Sequence, residues 1–498
     1  MKRFIFISII LFSFTNIFAQ LHKYPLTNFT QKEYGRGQEA QNWSVVQDNR
    51  GLMYFGNANG ILEYDGRTWR FIPVKKGTYV TSLDCDKQGN IYVGAQNDFG
   101  VLSPDSTGKL IYKSLADSSD KKNFLFSTVW KTIVIDSKVF FQSEEMLFVY
   151  ENGKLEKIKS ETSFHLAFKV NNELWIRQRN KGLLKYESGK LVMVKKGDFF
   201  KEIGICGITL WDLKSSELLI TTFDQGFYLY NSESGETRNI NLSDAKLFTS
   251  GNLYGAIRLN DGYTAINSTN KGLFILNNEG KIMGLVNEES GLHVNDIKQV
   301  YQDKQNNLLL AMNNGIAKVI YTSPLSYYSQ ESGLSGNVYS VCTYQNQLFV
   351  GTSTGLYRQI SGQFFYKFER VTGIGNQVWS LADMGNYLII ATSDGLFVFS
   401  NNRISNCSKL NCRSIYVDKD KKLLFVGGNH GLAVFTLSQV PVFLTFVEDI
   451  STTIVSIVKK QNSKSFIELW LGTAYQGAIR LDFDHELKPV IETFNDLD

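Results

Sequence analysis

Short apolar runs separated by polar turns recur along this chain in one order. An apolar run ends in a small or polar residue, a few polar residues follow, then a glycine and a second apolar run. The pattern reads LMYFGNANGILEY from Leu52 and IYVGAQNDFGVL from Ile91. Further copies start at Leu174, Leu218, Tyr263, Leu308, Leu348, Leu388, Leu423 and Leu469, and a degenerate one lacking the glycine starts at Val139. That makes eleven copies. The repeat glycines are Gly60, Gly100, Gly182, Gly226, Gly272, Gly315, Gly355, Gly395, Gly431 and Gly477. Neighbours lie 36 to 46 residues apart, except where the degenerate copy falls between Gly100 and Gly182. A period of about 40–45 residues fits a four-stranded propeller blade.

One unit can be read strand by strand. Trp43 to Gln47 is a strand, Asp48 to Gly51 a turn, and Leu52 to Gly56 a second strand. Asn57 to Gly60 turns again, Ile61 to Tyr64 is a third strand, Asp65-Gly66 a hairpin turn, and Thr68 to Ile72 the fourth. Helical periodicity is absent over any useful length. Many strands are apolar on both faces, so each small sheet needs a neighbour on each side. Closing the sheets into a ring supplies those neighbours. The expected fold is all-β: a seven-bladed β-propeller followed by a partial second propeller of about four blades.

Composition agrees with strands and tight turns: 35 Phe, 24 Tyr and 41 Gly against 6 Pro. The net charge of +4, from 52 basic and 48 acidic residues, has no dense basic face behind it, so direct nucleic-acid binding is not expected. Lys2 and Arg3 precede an apolar stretch from Phe4 to Phe18 that ends at Ala19-Gln20. This layout predicts a signal peptide over residues 1–19 and a periplasmic or extracellular protein. The stretch is shorter than the ~20 residues of a membrane span. Cys85, Cys206, Cys342, Cys407 and Cys412 are scattered and odd in number, which is no disulfide framework; whether Cys407 and Cys412 pair is left open.

The units resemble the two-component-regulator propeller repeat. The residues carrying the resemblance are Val46-Gln47-Asp48-Asn49-Arg50-Gly51, Tyr301-Gln302-Asp303, Gly351-Thr352-Ser353-Thr354-Gly355-Leu356-Tyr357-Arg358 and Leu469-Trp470-Leu471-Gly472-Thr473. The resemblance implies the periplasmic sensor region of a bacterial one- or two-component regulator. It implies an output kinase or helix-turn-helix domain in a longer chain or partner, and a homodimer. With seven plus four copies, the first propeller is placed at 20–322 and the incomplete second at 323–498. His22 to Phe29 is expected to supply the strand that closes the first ring.

Signatures of catalysis are missing: there is no P-loop, GxSxG, HExxH or dinucleotide fingerprint, and the five histidines are isolated. No calcium or zinc spacing occurs, so no metal or cofactor is expected and the chain is read as a binding protein, not an enzyme. In a blade, the start of the first strand and the turn before the repeat glycine share one face of the ring. Trp43, Asn57, Asn59, Gln96, Asn97, Trp130, Arg177, Arg179, Trp211, Thr222 and Asp224 are therefore the candidate ligand-binding residues. Trp and Arg among amides suit a carbohydrate, an acidic sugar or another small ligand. Two alternatives remain. One is a polysaccharide lyase or hydrolase using His165 with Arg177 and Arg179; the other is a protein-binding scaffold.

Overall fold

Each copy of the repeat folds into one four-stranded antiparallel sheet. The computed structural model describes residues 21–35, 37–74, 78–116, 126–212, 216–240, 242, 248, 252–461 and 465–495. The expected signal peptide, residues 1–19, lies outside them. Among the described residues there are eleven such sheets, numbered here in chain order. The chain divides into two units, 21–327 and 328–498.

The first unit holds sheets 1 to 7. Their first strands are Asn42–Gln47, Val80–Cys85, Lys131–Ile135, Phe164–Val170, Ile205–Leu210, Leu253–Arg258 and Ile297–Gln302. Each of these strands touches the first strand of the next sheet, and that of sheet 7 touches that of sheet 1. The sheets therefore close into a ring with the first strands innermost. Sheet 7 takes its outer strand from the other end of the unit. Leu26–Phe29 pairs antiparallel with Ile316–Val319, in the register Leu26↔Val319 to Phe29↔Ile316.

Strand alternation explains why the ring holds. In sheet 1, Val46, Tyr54 and Ile61 pack against Val80, Leu83 and Val93 of sheet 2. The alternate residues Val45, Phe55 and Leu62 pack against Leu309, Ala311 and Ile316 of sheet 7. Sheet 7 repeats the pattern, with Leu308 and Leu310 turned toward Ala265 and Ile275 of sheet 6. Every apolar face finds a partner, which is the main stabilising term in such a fold.

The second unit holds sheets 8 to 11, whose first strands are Val338–Tyr344, Val378–Asp383, Ser414–Asp418 and Ile454–Lys459. Consecutive first strands touch here too. The two outermost faces are uncovered among the described residues. Val341 is 61% exposed where its counterpart Val45 is 0%, and Val458 is 62% exposed where Val46 is 3%.

The repeat motif has a local cause. The aspartate after the first strand accepts backbone N–H groups across its turn. Asp48 Oδ1 takes those of Arg50 and Leu52 at 2.9 and 3.0 Å. Asp86 does so for Gln88 and Asn90, and Asp303 for Gln305 and Asn307. Ordinary turn chemistry accounts for these aspartates.

The small residue in the second strand answers a tighter constraint. Ser82 lies opposite Gly94, and Ser44 opposite Gly56. A Cβ on Gly94 would clash with Ser82 Oγ and stand 2.6 and 2.7 Å from Thr132 and Val129 of sheet 3. Gly351 is held in the same way against Val378 of sheet 9. Sheets 5 and 6 exchange the two places: Gly207 faces Thr221 and Gly255 faces Asn267. Asn267 then uses the space to donate to Ile297 O of sheet 7 at 2.8 Å. Gly94→Ala is expected to destabilise the first ring by about 1–3 kcal/mol, the usual cost of overpacking. Chemical denaturation checks it, and an unchanged midpoint would contradict the close approach.

Candidate functional site: the axial cavity of the first ring

A bulge near the start of the first strand builds the site. In sheet 1 the register jumps between Asn42 and Ser44, leaving Trp43 unpaired. The same jump strands Thr81 in sheet 2, Cys206 in sheet 5, Tyr254 in sheet 6 and Lys298 in sheet 7. In sheet 4 it takes in His165 and Leu166. In sheet 3, Trp130 N donates to Gln142 O while Lys131 is paired with that same Gln142. Such a bulge re-aims a side chain out of the ladder. Here it turns most of these side chains toward the ring axis.

A cavity of about 240 Å³ lies there, lined by Trp43, Thr81, Trp130, Lys131, His165, Leu166, Tyr254 and Lys298 from the bulge row and beside it. Ser82, Thr132, Glu144, Arg179, Phe223 and Gln299 complete most of its wall. The aromatic side chains follow one another around the wall. Trp130 meets Trp43 edge-on at 6.3 Å. Lys298 Nζ lies over both Trp43 and Tyr254, 5.5 and 5.2 Å from their centroids. Tyr254 meets Phe223 at 6.5 Å, and Phe223 meets His165 at 5.6 Å. Sheet 5 has only Cys206 in its bulge, and Phe223 from its second turn fills the wall instead.

Charge is unevenly matched around this wall. Lys298 is paired with Asp296 at 2.9 Å. Arg179 faces Glu144 at 3.9 Å. Burial pulls the Lys131 ammonium below its ordinary pKa, with Cys206 as the opposing influence. Burial, then the charges of Arg177 and Arg179, pull His165 down to about 4. Burial pushes the Tyr254 hydroxyl up to about 12. Trp43 Nε1 and His165 Nδ1 are buried and have no hydrogen-bond partner. Unpaired buried polar atoms are uncommon in native proteins.

The structure brings Trp43, Trp130 and Arg179 together in this cavity. It uses other candidates as framework. Arg177 is buried and donates to Phe200 O and Lys201 O at 3.0 and 2.6 Å. Asn57 is fully buried and ties Glu39 O, Gln41 O and Asn42 Oδ1 together. Asn59 donates to Gly37 O. Gln96 bridges to Thr128, and Asn97 takes a left-handed turn conformation at φ 55°. Thr222 Oγ1 donates to Gly226 O, closing the turn that carries Asp224. Asp224 lines a separate depression with Gln225 and Phe248.

Trp211 follows the first strand of sheet 5, which ends at Leu210, so it stands at the far end from the cavity. Reading that strand one segment late put it at the start. The expectation that strand starts and second turns share a face has a backbone basis: Ala58 N donates to Gln41 O, Gln96 N to Tyr79 O, and Phe223 N to Gly204 O.

Sequence reasoning missed Lys131, Glu144, Phe223, Tyr254 and Lys298 as binding residues, and gave His165 only an enzymatic role. The available signal was positional: in sheets 1, 2, 5 and 6 the bulge residue directly precedes a Ser or Gly of the first strand. The same row in the second unit holds Tyr339, Trp379, Arg413 and Val455. There Tyr339 stacks on Trp379 at 4.4 Å and Arg413 lies 4.9 Å from the Trp379 centroid.

No protein-family model matches this chain, and no curated protein does. Among solved structures it is similar to the extracellular domain of a proposed hybrid two-component system of B. thetaiotaomicron. The TM-score is 0.63 at 17% identity, over 95% of this chain and 67% of that one. The extracellular domain of a proposed one-component system from the same organism gives 0.47 at 14% identity, over 94% and 67%. The shared property is the fold. The chain is a β-propeller protein. Among the described residues of this propeller protein all five cysteines are free, including Cys407 and Cys412. No helix among them is long and apolar enough to cross a membrane, and no cluster of three metal-ligating side chains occurs.

Protonating His165 costs more in the folded propeller than in the unfolded chain. Its contribution to stability is complete above its ordinary value of 6.5 and is lost as pH falls toward 4. His165→Gln is therefore expected to flatten the fall in Tm between pH 6.5 and 4. Identical profiles for the two proteins would contradict the burial of a neutral imidazole here.

Proposed function

We propose that this chain is the extracytoplasmic ligand-binding part of a bacterial signalling regulator, and that the axial cavity of its first ring is the ligand seat. The observation that carries the reading is the cavity wall, where aromatic faces and cations converge from six of the seven sheets. A concave wall that combines aromatic surface with converging polar groups is a common form of small-molecule site. The size of the cavity fits a carbohydrate ring or another small ligand. The likeness to an extracellular domain supports export, as does the apolar segment behind Lys2 and Arg3.

Residues 328–498 form part of a second propeller on this reading. Its uncovered faces at Val341 and Val458 carry the side chains that join neighbouring sheets in the first ring. The output kinase or helix-turn-helix domain belongs to a longer chain or partner. Signalling would come from a ligand that prefers one of two arrangements of a homodimer, since only differential affinity shifts such an equilibrium.

Binding without turnover is the preferred role. One observation favours a lyase as the second reading: His165 is neutral near pH 7 and faces the cavity beside Arg179. Release of unsaturated products from uronic-acid polymers would establish that alternative.

A thermal-shift panel of neutral and acidic saccharides and small metabolites tests the sensor reading. At least one compound should raise Tm, since a ligand at a hundredfold its Kd adds about 2.7 kcal/mol. Trp43→Ala should abolish that shift. A panel without any stabilising compound would overturn the small-ligand version.

A further inference from the structure

We infer that the axial cavity selects a single ring bearing one carboxylate, with Lys131 as the counter-charge and the Trp43–Trp130 wall against the ring. The inference rests on the reading of this cavity as a ligand seat and adds the chemical class.

Position makes Lys131 unusual. It pairs with Gln142, at the register place where sheets 1 and 2 pair Ser44 with Gly56 and Ser82 with Gly94. Sheets 5 and 6 have Gly207 and Gly255 there, and sheets 8 to 11 have Ser340, Ser380, Ser414 and Ser456. Most sheets thus put a small residue at this point; sheet 7 puts the neutral Gln299 there, opposite Ala311, and sheet 3 puts a cation.

No carboxylate among the described residues answers that cation. Glu144 lines the cavity but faces Arg179, and Asp296 is engaged by Lys298. His165 is neutral, and burial holds the Cys206 thiol protonated, with its Sγ donating to Thr221 O. An ammonium taken from water without a partner is costly, and its pKa falls accordingly. A carboxylate brought in by a ligand restores the missing charge at a buried ammonium, where such a pair is stronger than in water. The cavity volume of about 240 Å³ has room for a ring.

Sugar acids and aromatic acids share this chemistry, and the test separates them. The full chain is titrated with galacturonate and benzoate, with their neutral counterparts galactose and benzyl alcohol, and with acetate as an anion without a ring. Tryptophan fluorescence reports on Trp43 and Trp130, and calorimetry gives affinities.

The expected result is that one ring carboxylate binds at least tenfold more tightly than its neutral counterpart and than acetate. Lys131→Met should remove that preference while leaving the unliganded Tm unchanged or raised. Lys131→Gln serves if the Met variant does not fold. Equal affinity for acid and neutral ring, or an unaltered preference in the Lys131 variants, would overturn the carboxylate assignment while the cavity remained a ligand seat. Failure of every probe to bind would overturn the assignment, and the broader panel described above would then decide the seat itself.

Discussion

Close approach of the first strands near the ring axis is the constraint on which the rest of this protein depends. Four-stranded sheets with two apolar faces must lean on each other, and they converge where the ring is narrowest. Something small stands at most of the crossings. Gly94 and Gly56 do so from the second strand, while Gly207 and Gly255 do so from the first. The bulge beside each crossing has the same origin. An extra residue relieves the crowded ladder and is pushed toward the axis.

This arrangement separates scaffold from function. The crossing pair and the turn aspartates are fixed by packing and by backbone hydrogen bonds. The bulged residue answers to neither, so Trp, Thr, His, Cys, Tyr and Lys all occur there in one ring. A cavity wall can then be composed residue by residue without altering the fold. Lys131 and Leu166 show a second freedom: where the crossing is wide enough, larger side chains enter the wall as well.

Much of the architecture was legible in the sequence because it is a repeated signal. Eleven copies of one pattern outweigh the weakness of each, and the degenerate copy at Val139 folds into a sheet like the others. In the copy at Tyr263 the small residue, Gly255, lies on the neighbouring strand. The site was less legible. Trp43, Trp130 and Arg179 stood out by residue type, but Arg177 and Asn57, equally prominent, are consumed by carbonyls of the framework. Trp211 was misplaced because an apolar run does not announce which end of a strand lies at the axis. Lys131, Tyr254 and Lys298 are ordinary residues in ordinary runs, and only the register reveals that a bulge or an exchange turns them inward.

Closure of the first ring is the claim on which the cavity and its chemistry stand, and the clasp strand Leu26–Phe29 is where closure can be measured. Hydrogen exchange on the full chain reads it directly. The account predicts that the ladder amides of Leu26–Phe29 and Ile316–Val319 exchange as slowly as those of the inner strands of the same ring. Rapid exchange of Leu26–Phe29 alongside protected inner strands would mean that the ring is open, and would contradict the account.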